Sequence, residues 1–152
     1  MTLQDYLDEM GVAYRLSSHG TAYTSQDLAA REHVSGQNVI KPVVVVIDGH
    51  PYVCALPATH RIDLQRLREQ LNAQDVALAD EPQLMRMFPD CELGAEPPIG
   101  KLYGIPTLMD LSLIHDEQVT FQAGNHQTAV TMSLRDYRKA AEPEVANFGR
   151  HI

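Results

Sequence analysis

The sequence predicts an α+β domain, with a mixed, curved β-sheet and flanking helices in a single unit spanning residues 1–152. Helix-capping patterns dominate up to Phe88, short strand-like runs dominate from Cys91 onward, and no regular strand–helix alternation joins them. A doubly wound parallel fold therefore has little to rest on.

Thr2 followed three residues later by Asp5, with Leu3, Tyr6, Leu7 and Met10 on one face and Gly11 behind them, spells a short capped helix. Val12 to Leu16 alternates as a strand would. Thr24 and Asp27 repeat the capping pattern before Leu28, Ala29 and Ala30, giving a second helix that ends between His33 and Gly36. Val43 to Ile47 and Tyr52 to Leu56 flank Asp48-Gly49-His50-Pro51, a hairpin turn whose glycine can take positive φ. The valine run implies burial on both faces. Pro42 lacks an N–H, so the strand is expected to start there and leave Lys41 at its mouth.

Asp63 opens a third helix with Leu64, Leu67 and Leu71 inward, and Val76 to Ala79 reads as a strand. Asp80 caps a helix with Pro82 in its first turn. Cys91 to Ala95, Thr107 to Asp110, Val119 to Gln122 and Thr128 to Met132 read as strands. Ser133 and Asp136 cap a final helix through Ala141, which Pro143 stops.

The length of 152 residues suits one core that removes roughly two-thirds of the unfolded surface from water. Apolar residues make up 44% and charged residues 21%, and no segment approaches the ~20 apolar residues of a membrane helix. Met1 to Met10 carries no basic leader pattern, so the expectation is a cytoplasmic protein with no membrane partner and two reduced thiols, Cys54 and Cys91. A formal charge of −8 disfavours wrapping a long nucleic acid, though gripping a strand end remains open.

Three segments carry the chemistry. Lys41 offers a point charge, which a dry pocket strengthens; the bland alternative is a gatekeeper against edge pairing. The loop Gly94-Ala95-Glu96-Pro97-Pro98-Ile99-Gly100 is stiffened by proline and bordered by glycines that let a ligand approach backbone amides, or it is simply a rigid connection. Gly124-Asn125-His126 is a turn with a titratable ring. Asp90, Glu92 and Glu96 are read as a solvated acidic cluster. The seven histidines include no pair at i,i+3 or i,i+4, so no metal and no cofactor are expected. Nucleophile-elbow, P-loop and dinucleotide motifs are missing.

Taken in order, the segments resemble the YbaK/EbsC family, the prolyl-tRNA-synthetase-associated editing domains. The likeness runs from Tyr14 to Phe148: the helix after Tyr23-Thr24, the unit Lys41 to Pro57, the G-x-x-x-P loop Gly94 to Pro98, the segment Leu102 to Thr107, and the F-x-A-G-x-H turn Phe121 to His126. The resemblance implies hydrolysis of the ester between a small wrong amino acid and the tRNA 3′ end, without metal or protein nucleophile. It gives Lys41 the catalytic role and makes Tyr23, Gly94, Ala95, Glu96, Pro98, Gly124, Asn125 and His126 substrate contacts. The implied partners are the aminoacyl-tRNA 3′ end and an aminoacyl-tRNA synthetase served in trans. Pro42 beside the lysine departs from the family pattern, which keeps a second reading open: a non-catalytic module binding a nucleotide, an amino acid or a protein partner.

Overall fold

Every α-helix starts where a side chain can accept an otherwise free N–H. Thr2, Thr24, Asp63, Asp80 and Ser133 each accept from the backbone three residues on. In this computed structural model, which describes residues 1–152, the order is α1 (Leu3–Met10), β1 (Arg15–Ser18), α2 (Ser25–Glu32), β2 (Ile40–Ile47), β3 (His50–Pro57), β4 (His60–Ile62), α3 (Leu64–Gln70), β5 (Val76–Leu78), α4 (Glu81–Met87), β6 (Thr107–Asp110), β7 (Gln118–Gln122), β8 (Thr128–Ser133), α5 (Leu134–Ala141), β9 (Glu144–Ala146) and β10 (Gly149–His151).

The strands form a five-stranded sheet ordered β5-β2-β3-β6-β9, a three-stranded sheet β1-β8-β7 and a pair β10-β4. The large sheet is mixed, as expected: β2 pairs antiparallel with β3 and β5, while β3-β6 and β6-β9 are parallel. A single parallel bridge, Val39 to Thr120, ties the start of β2 to β7 of the second sheet.

The start of β2 differs from expectation. The strand begins at Ile40, with Lys41 opposite Leu56 and Pro42 opposite Ala55. The Val44 carbonyl accepts from Ala79 on the flank away from β3, so Pro42, two residues earlier, turns its nitrogen to that same flank. β5 pairs only with Val45 to Ile47 and β7 only through the Val39–Thr120 bridge, so the missing N–H of Pro42 falls between the two pairings on that flank.

Three further corrections are local. The strand read at Val12 to Leu16 lies at Arg15 to Ser18, because pairing with β8, not alternation, sets it. Cys91 to Ala95 is no strand: Cys91 and Ala95 donate to Phe88 and Glu92 in successive turns, and Gly94 holds φ +87°. The short strands β4, β9 and β10 were absent from the sequence reading.

The core divides by sheet face. Ile40, Ala55, Ile99, Met109, Phe121, Val130 and Tyr137 share one cluster with α1 and α5 residues. On the opposite face, Val45, Cys54, Leu56, Leu67, Leu108 and Phe148 pack under α3, and Ala22, Leu28, Ala29, Val39, Ala58 and Ala129 pack under α2. The C-terminal segment is stapled by Asp110, whose carboxylate accepts from the N–H groups of Phe148 (2.9 Å) and Gly149 (2.6 Å) and from Ser112. No helix is long and apolar enough to cross a membrane.

Candidate functional site

The loop Gly94 to Gly100 is fixed at its far end by sterics and hydrogen bonds. Gly100 N donates to Thr107 Oγ1 at 2.9 Å, and a Cβ on Gly100 would stand 2.3 Å from the Ile105 carbonyl, a distance no side chain tolerates. The Tyr137 hydroxyl, fully buried, donates to the Pro98 carbonyl at 2.6 Å. Ile99 then anchors the loop in the same apolar cluster that holds Ile40 at the start of β2 and Phe121 on β7.

At its near end the loop grips the turn between β7 and β8. Gly124 N donates to Ala95 O at 2.9 Å, and Glu92 N donates to Gly124 O at 2.8 Å. Glu92 Oε1 accepts from His126 N at 2.8 Å. The Asn125 side chain folds back to accept from Gln127 N at 2.8 Å. His126, buried to 6% exposure, sets Nε2 2.9 Å from the Leu93 carbonyl and Nδ1 3.1 Å from the Ala22 carbonyl. Both ring nitrogens face carbonyl oxygens, so the imidazole donates to one of them and turns neither nitrogen toward a ligand. Tyr23, 71% exposed, lies with its ring centroid 5.0 Å from that of His126. Loop, turn and the segment before α2 are thus one assembly.

Glu96 departs from the sequence reading. It is 4% exposed rather than solvated, and its Oε1 accepts from Gly94 N at 3.1 Å. Gly94 and Ala95, expected to present amides, have both N–H groups engaged within the chain, Ala95 with Glu92 O at 3.0 Å. The Glu96 N–H itself has no acceptor in the chain. Buried backbone donors are rarely left so.

Lys41 makes no hydrogen bond or ion pair with these residues; the ion pairs of the chain are Lys101–Glu142 and Arg150–Asp63. Strand alternation sets Lys41 on the face of Val39 and Val43, between the apolar group under α2 and the one under α3. Half-buried there with no counter-charge, its amine is pulled below the ordinary lysine range by desolvation. The His60 imidazole is also lowered, first by burial and further by His151 and Lys41, with Asp110 opposing. The α2-facing side that carries Lys41 also carries Ala22, whose carbonyl His126 touches.

A residue the sequence reading passed over belongs here. Gln122, 6% exposed, donates Nε2 to the Ala22 carbonyl at 2.6 Å, the same oxygen that faces His126. Its position next to Ala123-Gly124 in the turn motif was the available signal. A cleft of about 460 Å3 lies elsewhere, lined by Tyr52, Lys101, Ile105, Thr107, Glu142 and Glu144, and includes none of the candidate residues. No group of three or more His, Cys, Asp or Glu is arranged to hold a metal ion.

Residues 19–140 match the family model described as the aminoacyl-tRNA editing domain, and the chain belongs to that family. No curated protein matches it. Among solved structures, the hypothetical protein APE2540 superposes with a TM-score of 0.87 at 21% identity, covering 97% of this chain and 99% of the other. A candidate trans-editing enzyme for prolyl-tRNA synthetase gives 0.87 at 16% identity, with 97% and 94% covered. A larger protein from Marinobacter aquaeolei VT8, described in terms of signal transduction, gives 0.76 at 17% identity, with 97% and 30% covered. At these identities the superpositions speak for the fold.

Proposed function

We propose that this member of the editing-domain family is an aminoacyl-tRNA deacylase that clears a small wrong amino acid from tRNA, in trans to a synthetase. The observation that carries the reading is Lys41: a half-buried ammonium with no partner, on the sheet face that also bears Ala22 and, through it, His126 and the Gly94 loop. A charge held out of water without a counter-ion invites an anionic ligand, and its field acts there at reduced screening.

In this reading water attacks the ester carbonyl, the bond to the ribose oxygen breaks, and the products are the free amino acid and the tRNA 3′ hydroxyl. An aminoacyl ester is already activated, so positioning plus oxyanion stabilisation suffices without a protein nucleophile. Lys41 steadies the terminal phosphate or the developing oxyanion. The amide best suited to the oxyanion is that of Glu96, because those of Gly94 and Ala95 are engaged within the loop. His126, wedged between the Leu93 and Ala22 carbonyls, has a binding role rather than one in proton transfer. Tyr23, exposed beside it, offers a face on which a terminal base can stack.

The engaged Gly94 and Ala95 amides favour the second reading, a non-catalytic module binding a nucleotide, amino acid or protein partner. A deacylation assay over a panel of mischarged tRNAs separates the two. Turnover of alanyl-, seryl- or a similar small aminoacyl-tRNA supports the deacylase; binding without turnover across the panel supports the module.

A further inference from the structure

We propose that the side-chain oxygen of Gln122 receives the α-ammonium of the aminoacyl group, making Gln122 a specificity-determining residue; this rests on the deacylase reading above. Gln122 closes β7, and its Oε1 is buried with no hydrogen-bond partner. Turning the amide over would set Oε1 against the Ala22 carbonyl, two acceptors face to face, so the Nε2 contact of 2.6 Å fixes which atom is left alone. A buried acceptor without a donor is costly unless something supplies the donor.

Its place in the fold says what that donor is. Val39 and Thr120 are bridged in parallel, and alternation puts Lys41 and Gln122, each two residues further along, on the same face as that pair. Thr120 and Thr131, also on that face, satisfy each other at 2.9 Å, leaving the Gln122 oxygen as the open acceptor there. The other oxygens nearby already have partners: the Ala22 carbonyl takes Gln122 Nε2, the Ala22 and Leu93 carbonyls face the His126 ring, and Glu92 and Glu96 accept from His126 N and Gly94 N. On the other side stands Lys41. The face thus carries one unpaired acceptor at Gln122 and one unpaired cation at Lys41, which complements a ligand with an ammonium at one end and an ester carbonyl and phosphate at the other.

The test is calorimetric binding of two stable analogues, 3′-(L-alanylamino)-3′-deoxyadenosine and its 3′-propionylamino counterpart, which lacks only the amine. Wild type should bind the alanyl analogue about tenfold or more tightly, the scale of one charge-assisted hydrogen bond. Gln122→Met, close in size and lacking the acceptor, should bring the two affinities together, and Gln122→Glu should keep the preference for the alanyl analogue. Circular dichroism melts confirm that the variants fold. Equal affinity for both analogues in wild type, or a preference unchanged in Gln122→Met, overturns the proposal. Turnover of alanyl-tRNA without an analogue preference overturns it alone; binding of neither analogue overturns it together with the reading it rests on.

Discussion

A Cβ placed on Gly94 would stand 3.6 Å from Cε1 of His126, an ordinary contact, yet the glycine holds φ +87°, which side chains rarely adopt. Space is therefore not what demands glycine; backbone conformation is. Gly94→Ala should lower stability by about 1–2 kcal/mol and Gly94→Val by more, through strain at positive φ. Folded Gly94→Ala protein should also lose deacylation rate, because relaxing φ moves the Glu96 N–H. Urea melts with single-turnover assays check both, and a valine variant as stable as wild type would contradict the strain argument.

The Asp110 carboxyl is buried, which alone would raise its pKa, but hydrogen bonds from Ser112, Phe148 and Gly149 hold it below the ordinary carboxylate range. The unfolded chain then binds more protons through that window, so stability rises with pH there. The contribution is fully present above the unfolded value near ~4 and is lost as pH falls through the lowered one. Asp110→Asn should cost about 1–3 kcal/mol at neutral pH and flatten the acid limb of the melting-temperature profile. Parallel profiles for variant and wild type would remove Asp110 as the staple of β10.

Selectivity should follow size. The loop that borders the site is pinned by Tyr137 at Pro98 and by Thr107 at Gly100, so it has little freedom to widen for a large side chain. Alanyl-, seryl-, threonyl- and cysteinyl-tRNA should be hydrolysed faster than phenylalanyl-tRNA, with overlap among neighbours because one methylene is worth only ~1–3 kcal/mol. Competition between alanyl- and phenylalanyl-tRNA measures this directly, and faster loss of phenylalanine refutes it.

Local chemistry made much of this fold readable. Thr2, Thr24, Asp63, Asp80 and Ser133 cap the helices they announce, since capping depends on residues three apart. The β2-β3 hairpin is equally local. What escaped depends on distant partners. β9 pairs with β6 and β10 with β4, and nothing within their three residues signals it. Glu96 looked solvated because a carboxylate beside other acids usually is, whereas its acceptor role toward Gly94 N exists only once the loop closes. Gln122 read as an ordinary strand residue for the same reason: its partner, Ala22, lies 100 residues away. The candidate set around Gly94, Gly124 and His126 was legible as segments, and their mutual hydrogen bonds were not.

Lys41 decides the account. Single-turnover deacylation of a small mischarged tRNA should fall by about 10²-fold or more in Lys41→Ala, the scale of losing one strong oxyanion-type interaction. Stability should change by under about 1 kcal/mol, because the half-buried amine has no hydrogen bond or ion pair to lose. Lys41→Arg should rescue poorly, since a planar fork does not replace a compact ammonium between two apolar groups. An alanine variant that folds and hydrolyses the ester as fast as wild type would contradict the catalytic assignment and put the binding-module reading in its place.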